Sequence, residues 1–147
     1  TAPVTIRPPK EKYLIVDGYN IIFAWEHLAE TAKEDLDAAR RHLCDILSSY
    51  AGFTKCRTVV VFDSYRTPGG EKLRTQGIQV VYTQQAQTAD QYIQDLAAQI
   101  GPSYTVRVAT SDSLVQLSAF RSGVLRMSAR ELYEEVERVF EEMRRYY

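Results

Sequence analysis

The residues best suited to chemistry in this chain are four aspartates. Asp17 closes the apolar run Tyr13-Leu14-Ile15-Val16, and Asp63 closes Arg57 to Phe62. Asp112 follows Tyr104 to Ala109 through Thr110-Ser111, and Asp90 opens the segment after Ile78 to Tyr82. Taken singly, each has a bland reading, because aspartate is common after strands and at helix starts, where it caps. Taken together they describe a carboxylate site. Clustered carboxylates repel one another, so a fold that gathers them needs positive charge in their midst. Oxygen donors without a convergent His or Cys point to Mg²⁺ or Mn²⁺ rather than zinc. A cation held this way suits phosphoryl chemistry, since it orients a phosphate, activates a water and stabilises the departing oxygen. The chain has no glycine-rich Walker loop, so no nucleotide cofactor is expected. Phosphodiester hydrolysis requires only the metal, a water and a way to hold the strand.

The elements that must position these residues follow from periodicity. A first strand over about Lys12 to Val16 leads to a helix near Asn20, with Ile21, Ile22, Trp25 and Leu28 on its apolar side. Thr31 to Glu34 has capping-box spacing and predicts the start of a second helix, which Gly52 should stop. Arg57 to Phe62, Ile78 to Tyr82 and Tyr104 to Ala109 read as further strands, and Ser64 to Gly77 as a polar loop. Thr88 caps a helix that ends at Gly101-Pro102, and Ser111 starts another that carries Leu114, Val115 and Leu117. Val124 to Met127 reads as a short edge strand, and Ser128 to Glu131 as the capping box of the last helix. Alternating strands and helices predict a three-layer α/β fold with a mostly parallel sheet. In such a sheet the carboxyl ends of the strands face one crevice. The four aspartates converge there, joined by the amide of Asn20 and the hydroxyls of Thr88, Thr110 and Ser111.

Bulk properties narrow the classes. At 147 residues, with 45% hydrophobic and 25% charged residues, the chain is expected to form one globular domain over 12–147. Residues 1–11 hold three prolines and read as an extended linker or tail, by which the domain would belong to a longer protein. The net charge of -1 excludes a global basic field, so nucleic acid must be held by local patches. Cys44 and Cys56 have no metal or redox spacing and are expected as buried free thiols, in keeping with a cytoplasmic location. No segment has the length and apolarity of a membrane span.

In order and spacing, Asp17-Gly18-Tyr19-Asn20, Val61-Phe62-Asp63, Thr88-Ala89-Asp90-Gln91-Tyr92-Ile93 and Thr110-Ser111-Asp112 resemble the NYN domains, and within them the YacP-like branch. Ala39-Arg40 with Leu43 and Leu47, and Ser128-Ala129-Arg130-Glu131-Leu132, extend the resemblance from residue 12 onward. It implies a PIN-like nuclease fold and a metal-dependent endoribonuclease acting on messenger RNA in association with the ribosome. It also implies that Asp17, Asp63, Asp90 and Asp112 form the acidic site, with Asn20 and Ser111 in support and Asp17, Asp90 and Asp112 on the metal. The chain departs from the branch at Gln87, Gln94 and Val115, where relatives tend to carry acids, so its crevice holds less negative charge.

Arg66, Lys72 and Arg74, in the loop expected after Asp63, are placed to bind phosphates beside the crevice, and Tyr65 and Tyr82 to stack on unpaired bases. Arg121, Arg126 and Arg130 form a second basic patch, in competition with pairing to nearby glutamates. Single-stranded RNA is therefore the expected substrate. The alternative is a catalytically weak module that docks on RNA or the ribosome, a reading favoured by the missing acids. A haloacid-dehalogenase-type phosphatase is discounted, because Tyr19 stands where that chemistry needs a second aspartate.

Overall fold

The computed structural model describes residues 10–63, the backbone of 72–75, and residues 77–84, 86–111 and 124–146. β1 (Lys12–Asp17) lies in the interior of the sheet because it is apolar on both faces. Leu14 and Val16 enter one core cluster and Ile15 the other, all fully buried. This is the pattern of a strand covered on both sides.

Three helices follow: α1 (Gly18–Ala24), α2 (Glu26–Glu34) and α3 (Leu36–Thr54). They lie on the Leu14/Val16 face, with Ile21, Ile22, Leu28, Leu43 and Leu47 fully buried there. The expected capping box at Thr31 is not a helix start. Thr31 lies inside α2, and its hydroxyl donates to the His27 carbonyl one turn back. The start is Asp35, which stands in an extended conformation and accepts from the Ala38 N–H at 3.0 Å. A carboxylate one residue beyond the Thr31 to Glu34 pattern supplies the cap instead. Nor does Gly52 stop α3, which runs on to Thr54 and closes on Lys55 in the left-handed conformation, φ 61°.

The chain continues through β2 (Arg57–Phe62), β3 (Lys72–Thr75), β4 (Ile78–Tyr82), α4 (Ala89–Ile100), β5 (Thr105–Ala109), β6 (Val124–Met127) and α5 (Ala129–Tyr146). The six-stranded sheet has the order β3-β4-β2-β1-β5-β6. β1, β2, β4, β5 and β6 run parallel, and β3 is an antiparallel edge. α4 covers the second face through Ala89, Ile93 and Ala97, and α5 joins the first through Leu132, Val136 and Val139. The fold is thus the expected three-layer, mostly parallel α/β arrangement. β3 was expected as loop; its sequence Lys-Leu-Arg-Thr is short and polar, the composition tolerated at an open edge. The helix expected around Leu114, Val115 and Leu117 lies outside the described residues.

The turn from β1 into α1 is tight. A Cβ built on Gly18 would stand 2.4 Å from the Phe62 ring and 3.0 Å from the Val61 carbonyl oxygen. Phe62 is fully buried, stacked on Tyr82 and packed at a tilt against Tyr19, so it has little room to swing. Gly18→Ala is expected to cost about 1–3 kcal/mol by overpacking. A chemical-denaturation midpoint equal to wild type would contradict this.

Candidate active site

The order of strands sets the location. From β1 the chain steps outward to β2 and β4 on one side, then returns to build β5 and β6 on the other. The strand order reverses between β1 and β5, which run parallel, and the crevice at such a reversal is where open α/β sheets bind ligands. The two strand ends at that point are Asp17 and the Thr110-Ser111 turn.

Asp17 is the last residue of β1 and is buried, 8% exposed. The hydroxyl of Thr110, itself fully buried, donates to the Asp17 carboxylate at 2.9 Å. One step further along, the Ser111 N–H donates to the Asn20 side-chain oxygen. The Ser111 hydroxyl accepts from the Ala129 N–H at 3.3 Å, at the first residue of α5. The end of β1, the start of α1, the end of β5 and the start of α5 are therefore laced together by four of the expected crevice residues and the backbone N–H groups of Ser111 and Ala129. The capping box of α5 holds that corner from outside: Ser128 N–H donates to Glu131 Oε1 at 2.9 Å, and Glu131 N–H to Ser128 Oγ at 3.0 Å.

Asp63 is tied to the helix turn that carries Asp90. The Asp63 carboxylate accepts from the Ala89 N–H at 3.2 Å, at the first turn of α4. Thr88 Oγ1 accepts from the Gln91 N–H at 3.1 Å, so α4 begins as the sequence predicts. Asp63 thus spends one oxygen on an N-terminal helix amide, the capping role open to any aspartate after a strand. In doing so it sets the position of Asp90, one residue on. Both carboxylates are partly exposed.

These groups are oxygen donors, and an oxygen-only set fits a hard divalent cation. Among the described residues no three His, Cys, Asp or Glu side chains come together as a metal-holding group. Asp112, the third expected ligand, lies outside the described residues, as do Tyr65, Arg66 and Arg121. Cys44 and Cys56 are buried and free. Burial pushes the Cys44 thiol up to about 11 and the Cys56 thiol upward as well, so neither is a ready nucleophile.

Lys72 and Arg74 require a correction, because they stand on β3 rather than in a loop beside the crevice. β3 is three positions from β1, roughly 14 Å at the usual strand spacing. Lys72 pairs with Val81, towards the carboxyl end of β4, whereas Arg74 pairs with Gln79 towards the other end. Tyr82 is half-buried and stacks on Phe62 at 5.5 Å. Of the second basic patch, Arg130 pairs with Glu134 at 3.1 Å. The sequence reading passed over the aromatic corner formed by Trp25, His27 and Tyr133. Their spacing along α2 and α5 looked like ordinary core and surface, and only the packing of α5 against α1 and α2 unites them.

Comparison with known proteins follows the same lines. Residues 14–147 match the YacP-like NYN domain family. The YacP protein of Bacillus subtilis (strain 168) is 40% identical over 128 residues, which span 86% of this chain and 75% of that protein. The crystal structure of Rae1 (YacP) from Bacillus subtilis superposes with a TM-score of 0.79 at 36% identity, covering 92% of this chain and 79% of that one. A point mutant of the same protein gives 0.79 at 35% identity. The order of motifs, the sheet topology and these matches agree: the chain belongs to the YacP-like NYN domain family.

Proposed function

We propose that this domain is a metal-dependent endoribonuclease that hydrolyses phosphodiester bonds in single-stranded RNA. The observation that carries the reading is the buried Asp17 carboxylate, held by the Thr110 hydroxyl at the point where the strand order reverses. A carboxylate standing at such a strand end is an oxygen donor of the kind a hard divalent cation takes. Family membership and the oxygen-only donor set support the same conclusion.

Asp17, Asp90 and Asp112 would hold Mg²⁺ or Mn²⁺, which supplies an activated water and charge neutralisation at the phosphate. The chain's own residues do the positioning. Thr110 orients the Asp17 carboxylate, Asn20 holds the Ser111 backbone that precedes Asp112 in the sequence, and Asp63 anchors the α4 turn that carries Asp90. Tyr65, Arg66 and Lys72 are proposed contacts for the flanking strand, with Arg74 the more remote. Messenger RNA is the proposed substrate, on the ribosome and in the cytoplasm. No helix of the described residues is long and apolar enough to cross a membrane.

The test is cleavage of a labelled single-stranded RNA with Mg²⁺ or Mn²⁺ present. Cutting should disappear on chelation and return on re-addition of metal. Cutting that persists in excess chelator would overturn the metal assignment. A second reading, an RNA- or ribosome-docking module with little catalysis, is favoured by Gln87, Gln94 and Val115 in place of acids. It predicts strand binding without cleavage at any metal concentration.

A further inference from the structure

A cavity of about 650 Å³ opens where the junction of α1 and α2 meets the start of α5. Its walls include Trp25, Glu26, His27, Ser111, Arg130 and Tyr133. Of the residues that lace the crevice, Ser111 lines this cavity. We propose that it is a base-binding subsite, which takes one unpaired nucleobase of an RNA strand running through the crevice. The proposal rests on the nuclease reading above and adds to it where a flanking base is held.

Size and shape come first. The volume lies inside the roughly 300–1,000 Å³ range of sites for small organic groups. The aromatic walls are braced rather than loose. Trp25 is 4% exposed, and its indole N–H donates to the Ala129 carbonyl at 2.8 Å. His27 lies nearly parallel to the indole, at 6.3 Å and 16°. Tyr133 stands edge-on to the indole at 5.5 Å and 80°, yet keeps 40% of its surface exposed. An exposed ring held by its neighbours binds a flat base with little further loss of freedom, and such stacking tolerates any base.

Charge selects the base over the phosphate as the group inside. Glu26 sits in the wall and would repel a phosphate, while its carboxylate accepts hydrogen bonds from an exocyclic amine. Arg130 is the cation of the cavity and reaches the strand's backbone at the rim. Its pairing with Glu134 is between side chains 88% and 63% exposed, a weak competitor for phosphate.

Continuity with the crevice completes the argument. Ser111 lines the cavity, and the adjacent Thr110 donates to Asp17. The hydrogen bonds of Ser111 to Asn20 and Ala129 lock the wall of the cavity to the edge of the crevice. A strand crossing Asp17 would pass this opening.

Trp25 is the single tryptophan of the chain, so its fluorescence reports on the cavity directly. The experiment titrates the Asp17→Asn protein, with Mg²⁺ present, against a single-stranded oligoribonucleotide and a set of strands each carrying one abasic position. The intact strand should quench Trp25. One abasic strand should fail to quench and bind about 5- to 100-fold more weakly, as expected for the loss of one stacked base. Adding Tyr133→Ala should weaken the intact strand by a similar factor and leave that abasic strand unchanged. Equal affinities for all strands, or no effect of Tyr133→Ala, overturn the subsite. If wild type still cleaves RNA in that case, the nuclease reading stands alone. If no strand binds and wild type does not cleave, both readings fall and the cavity is left to a protein partner.

Discussion

Asp17→Asn is expected to lower metal-dependent RNA cleavage by at least about 100-fold, since even the partners of metal ligands are worth about 10–100-fold. The substitution is nearly isosteric and keeps an oxygen to accept the Thr110 hydroxyl, whose hydrogen bond now holds the carboxylate at 2.9 Å. What it removes is the charge. Asp17 is 8% exposed and the amide fits the same space, so the fold should be kept, and a carboxylate held for function can often be exchanged without loss of stability. The variant should therefore melt at the same temperature as wild type or higher, the usual exchange of activity for stability at a functional site. Cleavage rates measured beside thermal unfolding separate the two effects. An Asp17→Asn protein that cuts as fast as wild type would remove Asp17 from the site.

The second large effect concerns stability. Arg107 on β5 donates through Nη1 to both oxygens of Glu135 on α5, at 2.7 and 2.9 Å, and through Nη2 to the Tyr50 hydroxyl of α3 at 2.9 Å. Tyr50 in turn donates to Glu135. Both charged side chains are only 20% exposed, so the triad pins α3 and α5 to the sheet from within. Removing one partner strands the other charge, which typically costs about 3–5 kcal/mol. Glu135→Ala should fall in that range, a drop in melting temperature of about 10 °C for a chain of this size.

The same triad makes stability depend on pH in two windows. Burial alone would raise the Glu135 carboxyl, but hydrogen bonds from Arg107 and Tyr50 outweigh it and hold the group below its ordinary value. Its contribution is complete above the unfolded value of about 4.3 and is lost as pH falls through the lower folded value. Tyr50 moves the other way: burial, reinforced by Glu135, pushes it up to about 12. Its contribution is complete below about pH 10 and is lost between there and 12. Urea unfolding across pH should show both limbs in wild type. In Glu135→Gln the acid limb should flatten. An unchanged acid limb would mean that the ion pair does not govern acid stability.

Much of this was legible from residue order. The apolar run of β2 announces a strand buried on both faces, those of β1, β4 and β5 announce further strands, and Thr88 and Ser128 mark helix starts that the structure keeps. Each works because capping and periodicity are local: the residues that decide them lie within a turn of each other. The same locality explains the failures. Thr31 to Glu34 satisfies a capping pattern, but Asp35 caps better, and the choice depends on where α2 and α3 bend over the core. Lys72 and Arg74 look like loop cations until β4 offers them an edge to pair with.

Residue types and their spacing, then, set the strand ends at which Asp17, Asp63 and Thr110-Ser111 stand, and the oxygen-only character of what gathers there. Tertiary structure alone assigned the work among them. It gave Thr110 to Asp17, gave an oxygen of Asp63 to the first turn of α4, and set Ser111 between the crevice and the aromatic cavity of Trp25 and Tyr133. The partners in these contacts stand 93, 26 and 18 residues apart, as in Thr110–Asp17, Ala89–Asp63 and Ala129–Ser111. Hydrogen bonds over such separations are decided by which strands become neighbours, and strand order is a property of the whole packed sheet.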